Sequence, residues 1–324
     1  MDKYHRSNPP TELKSVVMGR ENSRKKSSIS SPCSRLAVSF SGGRSSAVMV
    51  DQILEKWGDS REIVITFANT GKEEEETLRF VDAVDRNFCQ PRGYKVHWLE
   101  AEIHGPGKGP TAKEVTYETA NRNGDVFEAA IAKHGVFCKT HPQCTSRLKD
   151  EPMDWWRKKV LGWDAYETAI GIRADEIDRV SSKAKERRFL YPLADWGWRK
   201  RDVSQYMERF DWDLKLPGDH WGNCDVCWKK SLRKLMTRAK EDPSVFAWWG
   251  HMERKYGMVS KGEPNKEPRV FFRGNRSAQD IITLAQTEDF EPYEDEKYDN
   301  PELFDKWWDV GAGCGESCEI GADE

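Results

Sequence analysis

An apolar run that ends in a Gly-Gly turn most constrains the fold of this chain. Residues 36–40, Leu-Ala-Val-Ser-Phe, are short, apolar and bounded by turn residues, which predicts a buried parallel strand. The stretch 47–57 then places Val48, Ile53 and Leu54 on one helical face. A strand that leads directly into a helix is the repeating unit of α/β folds.

The loop between this strand and helix has the composition of an anion-binding turn. Gly42 and Gly43 let a phosphate approach the backbone, and the unpaired N–H groups at a helix N-terminus favour negative charge. The candidate phosphate-binding residues are Ser39, Ser41, Gly42, Gly43, Arg44, Ser45 and Ser46. The loop matches neither the Walker A pattern nor G-x-G-x-x-G, and an ordinary strand-to-helix turn is the alternative interpretation.

Strand and helix patterns continue to alternate after this loop. The predicted segments are strand 36–40, helix 46–57, strand 62–68, helix 74–88, strand 95–99, helix 124–134, helix 151–160, strand 166–171 and helix 201–210. This order predicts an α/β fold with a doubly wound parallel sheet, in which ligands bind beyond the carboxyl ends of the strands. The Gly/Pro-rich stretch 103–114 is predicted to be a long loop, and a lid is one interpretation of it.

Composition divides the 324 residues into three regions. Residues 1–34 are rich in Ser, Lys, Arg, Asn and Pro, which predicts a flexible basic arm. Residues 35–235 carry the alternating pattern and form the predicted main domain. Residues 236–324 are predicted to be a mostly helical C-terminal extension that ends in a cysteine-containing tail.

Overall composition excludes some classes of protein. A hydrophobic content of 37% is enough for a core, and a formal net charge of −3 neither requires nor excludes a nucleic-acid partner. The chain contains no run of 18 apolar residues and begins with a polar segment, so we expect no membrane association and a cytoplasmic location. Eight cysteines in that compartment indicate metal, cluster or redox chemistry rather than disulfides.

Two further predicted strands end in polar residues that suit a nucleotide. Asn69, Thr70 and Gly71 follow the strand at 62–68, and we assign them to an adenine or ribose site. Gly171 and Arg173 follow the strand at 166–171, and an arginine at a strand end neutralises phosphate bidentately. An exposed ion pair at a helix start is the alternative interpretation of Arg173.

Two separated cysteine pairs predict four converging thiolates. They are Cys138 and Cys144, a C-x5-C, and Cys224 and Cys227, a C-x-x-C. Thiolates are soft anionic ligands, so the set suits a [4Fe–4S] cluster or, alternatively, a tetrahedral zinc ion. Two alternatives stay open: four unrelated buried thiols, or His141 or His220 in place of one cysteine.

A third cysteine pair, Cys314 and Cys318, lies in a Gly-rich segment near the C-terminus. A flexible thiol tail can reach an active site. A cation that lowers the thiol pKa would let one of the two act as a nucleophile on sulfur or form a transient disulfide. A tail without a role is the alternative.

Four ordered motifs carry a family resemblance. They are Ser-Phe-Ser-Gly-Gly-Arg-Ser-Ser at 39–46, Phe-Ala-Asn-Thr-Gly-Lys-Glu-Glu-Glu-Glu-Thr-Leu at 67–78, Gly-Ile-Arg-Ala-Asp-Glu-Ile-Asp-Arg at 171–179 and Tyr-Pro-Leu-Ala-Asp-Trp at 191–196. Together they resemble the phosphoadenosine-phosphosulfate (PAPS) reductase family of the PP-loop, or adenine nucleotide α-hydrolase-like, superfamily. The resemblance covers about residues 35–235 and implies the fold of that superfamily.

The resemblance also implies a ligand, a cofactor and an activity. The ligand is an adenine nucleotide, either ATP, PAPS or adenosine phosphosulfate (APS), and the activity is that of an oxidoreductase or sulfur transferase. The cysteines are similar to those of the iron–sulfur members, which implies a [4Fe–4S] cluster. The family's reductases have adjacent cysteines where this chain has C-x5-C, so Cys138 is a ligand or a bystander. They also have a histidine after the C-terminal Cys-Gly, whereas Glu316 follows Cys314-Gly315 here.

Three hypotheses follow. In the first, a tail thiol attacks a sulfonucleotide, and a thioredoxin-like reductant cleaves the product. In the second, ATP adenylates a nucleic acid, either tRNA or DNA, which is then thiolated. Ser45 stands where ATP-cleaving PP-loop enzymes have Asp, which favours the first, whereas the absence of a histidine after Cys314-Gly315 weakens it. The third is a non-catalytic, zinc-stabilised nucleotide-binding protein.

Overall fold

A computed structural model of the chain describes residues 34–222, 224–260 and 267–295. The strands of this part are β1 (Arg35–Ser39), β2 (Glu62–Asn69), β3 (Val96–Glu102), β4 (Thr111–Val115), β5 (Glu167–Ala169) and β6 (Phe189–Leu190). They form one sheet in the order β4-β3-β2-β1-β5-β6. Each neighbouring pair in it is parallel except β3 and β4, which are antiparallel.

Helices connect and cover these strands. They are α1 (Arg44–Trp57), α2 (Glu75–Val84), α3 (Asp125–His134), α4 (Glu151–Lys159), α5 (Ala184–Arg187), α6 (Pro192–Asp195), α7 (Lys200–Met207), α8 (Leu232–Glu241), α9 (Ala247–Tyr256) and α10 (Ala278–Thr287). Two short 3-10 helical turns lie at Ala174–Arg179 and Asp219–Trp221. Within the described residues, none of the helices is long and apolar enough to cross a membrane.

Side chains of the central strands alternate between two hydrophobic cores. Val38 and Phe67 pack with apolar residues of α1, α2 and α7. Their neighbours Ala37 and Ala68 pack instead with Trp156 of α4. Parallel strands that are buried on both faces are typical of doubly wound sheets, and the predicted fold class is confirmed.

The strand order creates a switch point beside β1. The chain passes from β1 to β2 and β3 on one side, and later places β5 and β6 on the other side. The carboxyl ends of β1 and β5 therefore meet where the connections diverge, which is the usual ligand position in open α/β sheets. This topology brings the loop at 41–46 beside the segment at 171–173.

Two local predictions differ from the structure, and one short strand was not predicted. The helix predicted at 74–88 is α-helical only to Val84 and continues as a π-helical turn, Asp85–Cys89. The loop predicted at 103–114 is shorter, because β4 begins at Thr111 and pairs with β3 along the sheet edge. The strand β6 was not predicted, because its two residues are too few to show the alternation of a strand.

The described residues after 235 include most of α8 and all of α9 and α10, so this part of the chain is helical, as predicted. Trp249 of α9 is fully buried, and its ring lies 5.3 Å from Phe127 of α3 and 4.7 Å from Phe271. One core thus contains residues from both sides of position 235, whereas the domain boundary itself stays a prediction. Residues 1–33 of the predicted arm, and both Cys314 and Cys318, lie outside the described residues.

Truncation of Phe67 tests the central core. Its ring is 1% exposed and lies 5.0 Å from Trp98 and 6.3 Å from Phe40. We expect Phe67→Ala to lower the free energy of unfolding by about 3–5 kcal/mol, because it leaves a cavity between strand and helix. Val160→Ala, at a side chain that is 57% exposed, should change it by less than about 0.5 kcal/mol. Urea unfolding followed by circular dichroism measures both, and equal effects would contradict this description of the core.

Candidate functional site

The loop between β1 and α1 is tightly closed. Gly42 has a φ of +83°, and a Cβ there would lie 2.8 Å from Thr77 Cγ2. Ser46 Oγ accepts a hydrogen bond from Ser41 N at 3.2 Å and donates one to the Gly43 carbonyl at 2.9 Å. The loop therefore needs glycine at 42, and it presents its backbone at the N-terminus of α1.

Arg173 reaches this loop from the end of β5. Its Nη1 donates to Ser45 Oγ at 3.0 Å, while its Nε pairs with Asp175 Oδ1 at 3.0 Å. Gly171 makes the approach possible, because a Cβ there would lie only 3.1 Å from Ser46 Cα. The structure brings the predicted loop and Arg173 together, and their role in binding a nucleotide stays a prediction.

A cavity of about 510 Å³ opens over the loop. Its walls are residues 41–46, the 3-10 turn Ala174–Arg179, the start of α7, the segment 214–222 and Lys234 of α8. This volume lies within the usual range for small-molecule and cofactor sites, about 300–1,000 Å³. Ser39 is buried within β1 and is not among the described lining residues.

The charges around the cavity are balanced. Among the described residues that line it, five are cations and five are carboxylates: Arg44, Arg173, Arg179, Lys200 and Lys234, with Asp175, Glu176, Asp178, Asp219 and Asp295. Burial opposes ionisation of Asp175 and Asp219, yet Arg173 beside the first and Lys200 beside the second lower the pKa of both carboxyls. Both are therefore charged at neutral pH. Arg44 and Arg173 were predicted as ligands, and the motif at 171–179 already contained Asp175, Glu176, Asp178 and Arg179. Lys200, Lys234, Asp219 and Asp295 were not predicted from the sequence.

The guanidinium of Arg44 forms hydrogen bonds with the segment that follows α7. Its Nε donates to Asp213 Oδ1 at 2.9 Å, and its Nη2 donates to the Leu214 carbonyl at 2.9 Å. These contacts tie the start of α1 to the segment that follows α7. The arrangement supports the wall of the cavity, and the predicted contact of Arg44 with phosphate stays a prediction.

The residues predicted after β2 point elsewhere. Asn69 Nδ2 donates to Glu100 Oε1 at 2.7 Å and to the Asn121 carbonyl at 2.9 Å. Gly71 has a φ of +81°, and Thr70 Oγ1 donates to Glu73. None of Asn69, Thr70 and Gly71 belongs to the described lining of the large cavity. Their assignment to an adenine or ribose site stays a prediction, because the described lining of this cavity does not include them.

Three of the four predicted metal-binding cysteines share a second, much smaller cavity. Cys144, Cys224 and Cys227 line about 10 Å³ together with Thr70, Trp228 and Trp249. Cys138 is not among the described residues of this lining, and its Sγ lies 3.3 Å from Thr140 Oγ1. Within the described chain, no group of three or more His, Cys, Asp or Glu side chains is arranged to hold a metal ion. The thiols suit a thiophilic metal chemically, and the four-thiolate site stays a prediction.

The two histidines considered as substitutes have other contacts. His141 Nε2 lies 2.9 Å from the His134 carbonyl, and His220 Nε2 lies 2.9 Å from Glu241 Oε1. Burial lowers the pKa of both imidazoles. Neither histidine belongs to the described lining of the thiol cavity.

Buried charges hold the C-x-x-C loop in place. Lys230 Nζ donates to the carbonyls of Cys224 at 3.1 Å and Asp225 at 2.7 Å, and burial lowers the pKa of this lysine to about 8. Asp225 in turn pairs with Lys72 Nζ at 2.8 Å and accepts from Trp249 Nε1 at 2.8 Å. The sequence analysis missed Lys230, although two lysines directly after the Cys227-Trp pair were a visible signal.

One segment connects the two cavities. Gly222 lines the large cavity, and Cys224, two positions later, lines the thiol cavity. Thr70 Oγ1, at the end of β2, lies 3.6 Å from Cys224 Sγ. The cavity lined by thiols is therefore reached within two residues of the lining of the large cavity.

The phosphate-type loop and the arginine at the switch point define a PP-loop type of nucleotide-binding protein. The chain belongs to the phosphoadenosine phosphosulfate reductase domain family, whose model matches residues 35–215. Membership indicates an enzyme that binds a nucleotide and takes part in sulfur-related chemistry. The C-x-x-C pair, Lys230 and α8–α10 lie beyond the matched range.

Two relatives show how far the similarity extends. The chain is 28% identical over 284 residues to the uncharacterised nin region protein ORF290 of Escherichia phage lambda. The aligned residues cover 87% of this chain and 94% of that protein. The chain is also 22% identical over 247 residues to an uncharacterised protein of Methanocaldococcus jannaschii. Those residues cover 69% of this chain and 44% of that protein. The first match includes most of the region after residue 215 as well.

A pair of glycine substitutions tests the loop geometry. We expect Gly42→Ala to lower the free energy of unfolding by about 1–3 kcal/mol, because a positive φ and the contact with Thr77 both oppose a Cβ. Gly43 is the matched control, since its φ is −102° and a Cβ would lie 3.9 Å from Ser41 Oγ. Gly43→Ala should change stability by less than about 0.5 kcal/mol. Thermal unfolding of both variants measures the difference, and equal losses would contradict the loop geometry.

Proposed function

We propose that the protein is an enzyme that binds an adenine nucleotide over the loop at 41–46 and catalyses sulfur chemistry. The reaction is reduction of a sulfonucleotide or a closely related sulfur transfer. The observation that carries this proposal is the contact of Arg173 with Ser45 at the wall of the cavity of about 510 Å³. A cavity lined by thiols lies next to it along the chain. Donors for an anion and thiols for sulfur chemistry thus occur side by side.

The loop supplies the groups that an anion requires. Backbone N–H groups at the start of α1, the hydroxyls of Ser41 and Ser45 and the guanidinium of Arg173 are all donors. Asp175 and Glu176 hold Arg173 in place before a ligand arrives, at 3.0 and 3.4 Å. The loop 39–46 contains no carboxylate, which favours direct contact of its donors with phosphate or sulfate oxygens.

In the reductive version, a thiolate of Cys314 or Cys318 attacks the sulfur of the sulfonucleotide. An S–S bond forms, the bond from sulfur to the bridging oxygen breaks, and the adenosine phosphate leaves with the electron pair. A dithiol reductant of the thioredoxin type then attacks the protein sulfur, which releases sulfite and oxidises the reductant to a disulfide. Asp295 lines the cavity, and the segment from there to Cys314 can extend on the order of 60 Å, ample to return to it.

A second candidate is ATP-dependent adenylation and thiolation of tRNA or DNA. It is favoured by an exposed basic turn directly after the cavity wall Ala174–Arg179, formed by Lys183, Lys185, Arg187 and Arg188. The nearby Trp156 is not available to stack on a base, because its ring is buried with its centroid 4.7 Å from that of His97. Pyrophosphate release from ATP that depends on added nucleic acid would distinguish it from the reductive version.

Binding and product assays test the main proposal. We expect AMP to bind to the wild-type protein, and Arg173→Met to weaken binding about 10- to 100-fold, because it removes a charge-assisted donor. Arg86→Met is the matched control, since Arg86 is 64% exposed and lies outside the described lining of the cavity. Isothermal titration calorimetry measures both, and equal affinity in all three proteins would contradict the nucleotide site.

Sulfite release from APS or PAPS with a dithiol reductant then tests the chemistry. Cys314→Ser and Cys318→Ser should identify the nucleophile by loss of sulfite with AMP binding retained. A protein that binds AMP but releases sulfite from neither compound would contradict the reductive version.

We propose the thiol cavity as the site of a metal cofactor. Cys144, Cys224 and Cys227 are the residues that would hold a [4Fe–4S] cluster, or zinc as the alternative, and the cluster would supply redox or electrostatic support next to the nucleotide. We expect anaerobically purified protein to contain iron and sulfide, with a broad visible absorption band. Cys224→Ser should remove the band and Cys138→Ser should retain it, because Cys138 lies outside the thiol cavity. Stoichiometric zinc would contradict the cluster, and metal-free protein would contradict both.

A further inference from the structure

We infer that Thr77 of α2 is a further binding residue of the large cavity. Its hydroxyl donates a hydrogen bond to a phosphate or sulfate oxygen that is held over the loop at 41–46. This inference rests on the proposed function and adds a residue of a second helix to the nucleotide site. Thr77 belongs to the motif at 67–78, outside the residues of that motif that were predicted as ligands.

The hydroxyl of Thr77 is buried and unpaired among the described residues. Thr77 is 3% exposed, and its Oγ1 has no hydrogen-bond partner in the part of the chain that the structure describes. Most buried side-chain polar atoms in proteins have a partner, because an unpaired one opposes folding. A buried hydroxyl of this kind at the edge of a cavity points to an acceptor that binds in the cavity.

Threonines in other helices show the usual partner of such a hydroxyl. Three of them donate to the carbonyl four positions earlier, at 2.9–3.0 Å: Thr237, Thr283 and Thr287. At Thr77 the corresponding carbonyl is that of Glu73, which precedes the helix. The helical hydrogen bonds begin only at the carbonyl of Glu74, which accepts from Leu78 N at 3.2 Å. The start of α2 therefore leaves Thr77 without the partner that the other helices provide.

Thr77 lies directly against the proposed phosphate loop. It lines the large cavity together with Gly42 and Gly43. Its Cγ2 is the atom nearest to a Cβ built on Gly42, at 2.8 Å, so the methyl group of Thr77 touches the loop. The methyl and the hydroxyl share one carbon atom, and threonine populates two χ1 rotamers in helices. Rotation about a single bond therefore turns the hydroxyl towards the loop and towards an anion bound on it.

The acidic residues beside Thr77 are directed to other partners. Glu75 Oε2 pairs with Arg122 at 2.7 Å, and Glu76 pairs with Arg79. Neither carboxylate is among the described lining residues of the cavity. The first turn of α2 thus contributes a hydroxyl to the cavity wall. A hydroxyl is both donor and acceptor, and its bond to a charged oxygen is roughly twice as strong as one to a neutral oxygen. A phosphate or sulfate oxygen over the loop is therefore a suitable acceptor.

Thr77→Val tests the inference, because valine keeps the shape of the side chain and removes only the hydroxyl. We expect it to weaken the binding of AMP, of ADP or of both about tenfold, since a hydrogen bond to an oxyanion is lost. A loss with both nucleotides assigns the bond to the first phosphate, and a loss with ADP alone assigns it to the second anionic group. The urea midpoint of the variant should equal or exceed that of the wild-type protein, because no described residue loses a partner. Isothermal titration calorimetry and urea unfolding measure the two effects.

Thr66→Val is the matched control. Thr66 is fully buried in β2, its Oγ1 accepts a hydrogen bond from Arg157 Nη2 at 2.6 Å, and it lies outside the described lining of the cavity. Its replacement leaves Arg157 without that acceptor, so the urea midpoint should fall while both nucleotide affinities stay unchanged. Thr77→Ser should retain the affinity for both nucleotides, because serine keeps the hydroxyl.

The outcomes separate the inference from the proposed function. Unchanged affinity of Thr77→Val for AMP and for ADP would overturn the inference and leave the nucleotide site standing. Weaker binding together with a lower urea midpoint would also overturn it, since the hydroxyl would then support the fold rather than the ligand. Failure of both nucleotides to bind to the wild-type protein would overturn the proposed function, and the inference with it.

Discussion

The close approach of two backbones at the sheet's switch point determines the rest of the site. Gly171 lies so near Ser46 that a Cβ would be 3.1 Å from its Cα, and Gly42 turns at positive φ against Thr77. A side chain at 171 would force β5 and the loop after β1 apart, and one at 42 would press that loop against Thr77 of α2. Because both are glycine, Arg173 reaches Ser45, and the cavity forms between the loop and the segment that follows β5. The proposed anion site thus depends on packing at the ends of the strands.

Balanced charge is the second organising property of the site. A cavity lined only by arginine and lysine would attract many anions, and its cations would repel one another within the fold. Here Asp175, Glu176 and Asp219 hold Arg173, Arg179 and Lys200 in defined positions. Such pairing lowers the positive potential of the cavity and so weakens its attraction for anions in general. In return, the donors are ordered before the ligand binds, so less conformational entropy is lost on binding.

Local sequence patterns predicted the fold well where burial follows a period. The segment predicted at 36–40 corresponds to β1, Arg35–Ser39, and the helix predicted at 46–57 to α1, because those residues are apolar on both faces or on one stripe. Contacts distant in sequence were less accessible. The spacing of cysteines does not show that Cys144 shares a cavity with Cys224 while Cys138 does not. Asn69 was assigned to the ligand because strand ends carry ligands, and local patterns do not show that its buried amide donates to Glu100 and to the Asn121 carbonyl.

Both cavities depend on neighbouring strands of one sheet, and this fixes their relation. The loop after β1 forms the floor of the large cavity, and the residues after β2 contact the thiol loop through Thr70 with Cys224 and Lys72 with Asp225. Adjacent strands lie about 4.8 Å apart, so the two strand ends cannot separate without breaking the ladder between them. Lys230 restrains the thiol loop from its other side, through the carbonyls of Cys224 and Asp225. A nucleotide held at the first strand end would therefore lie at a set distance from the thiols, because the distance is a property of the sheet.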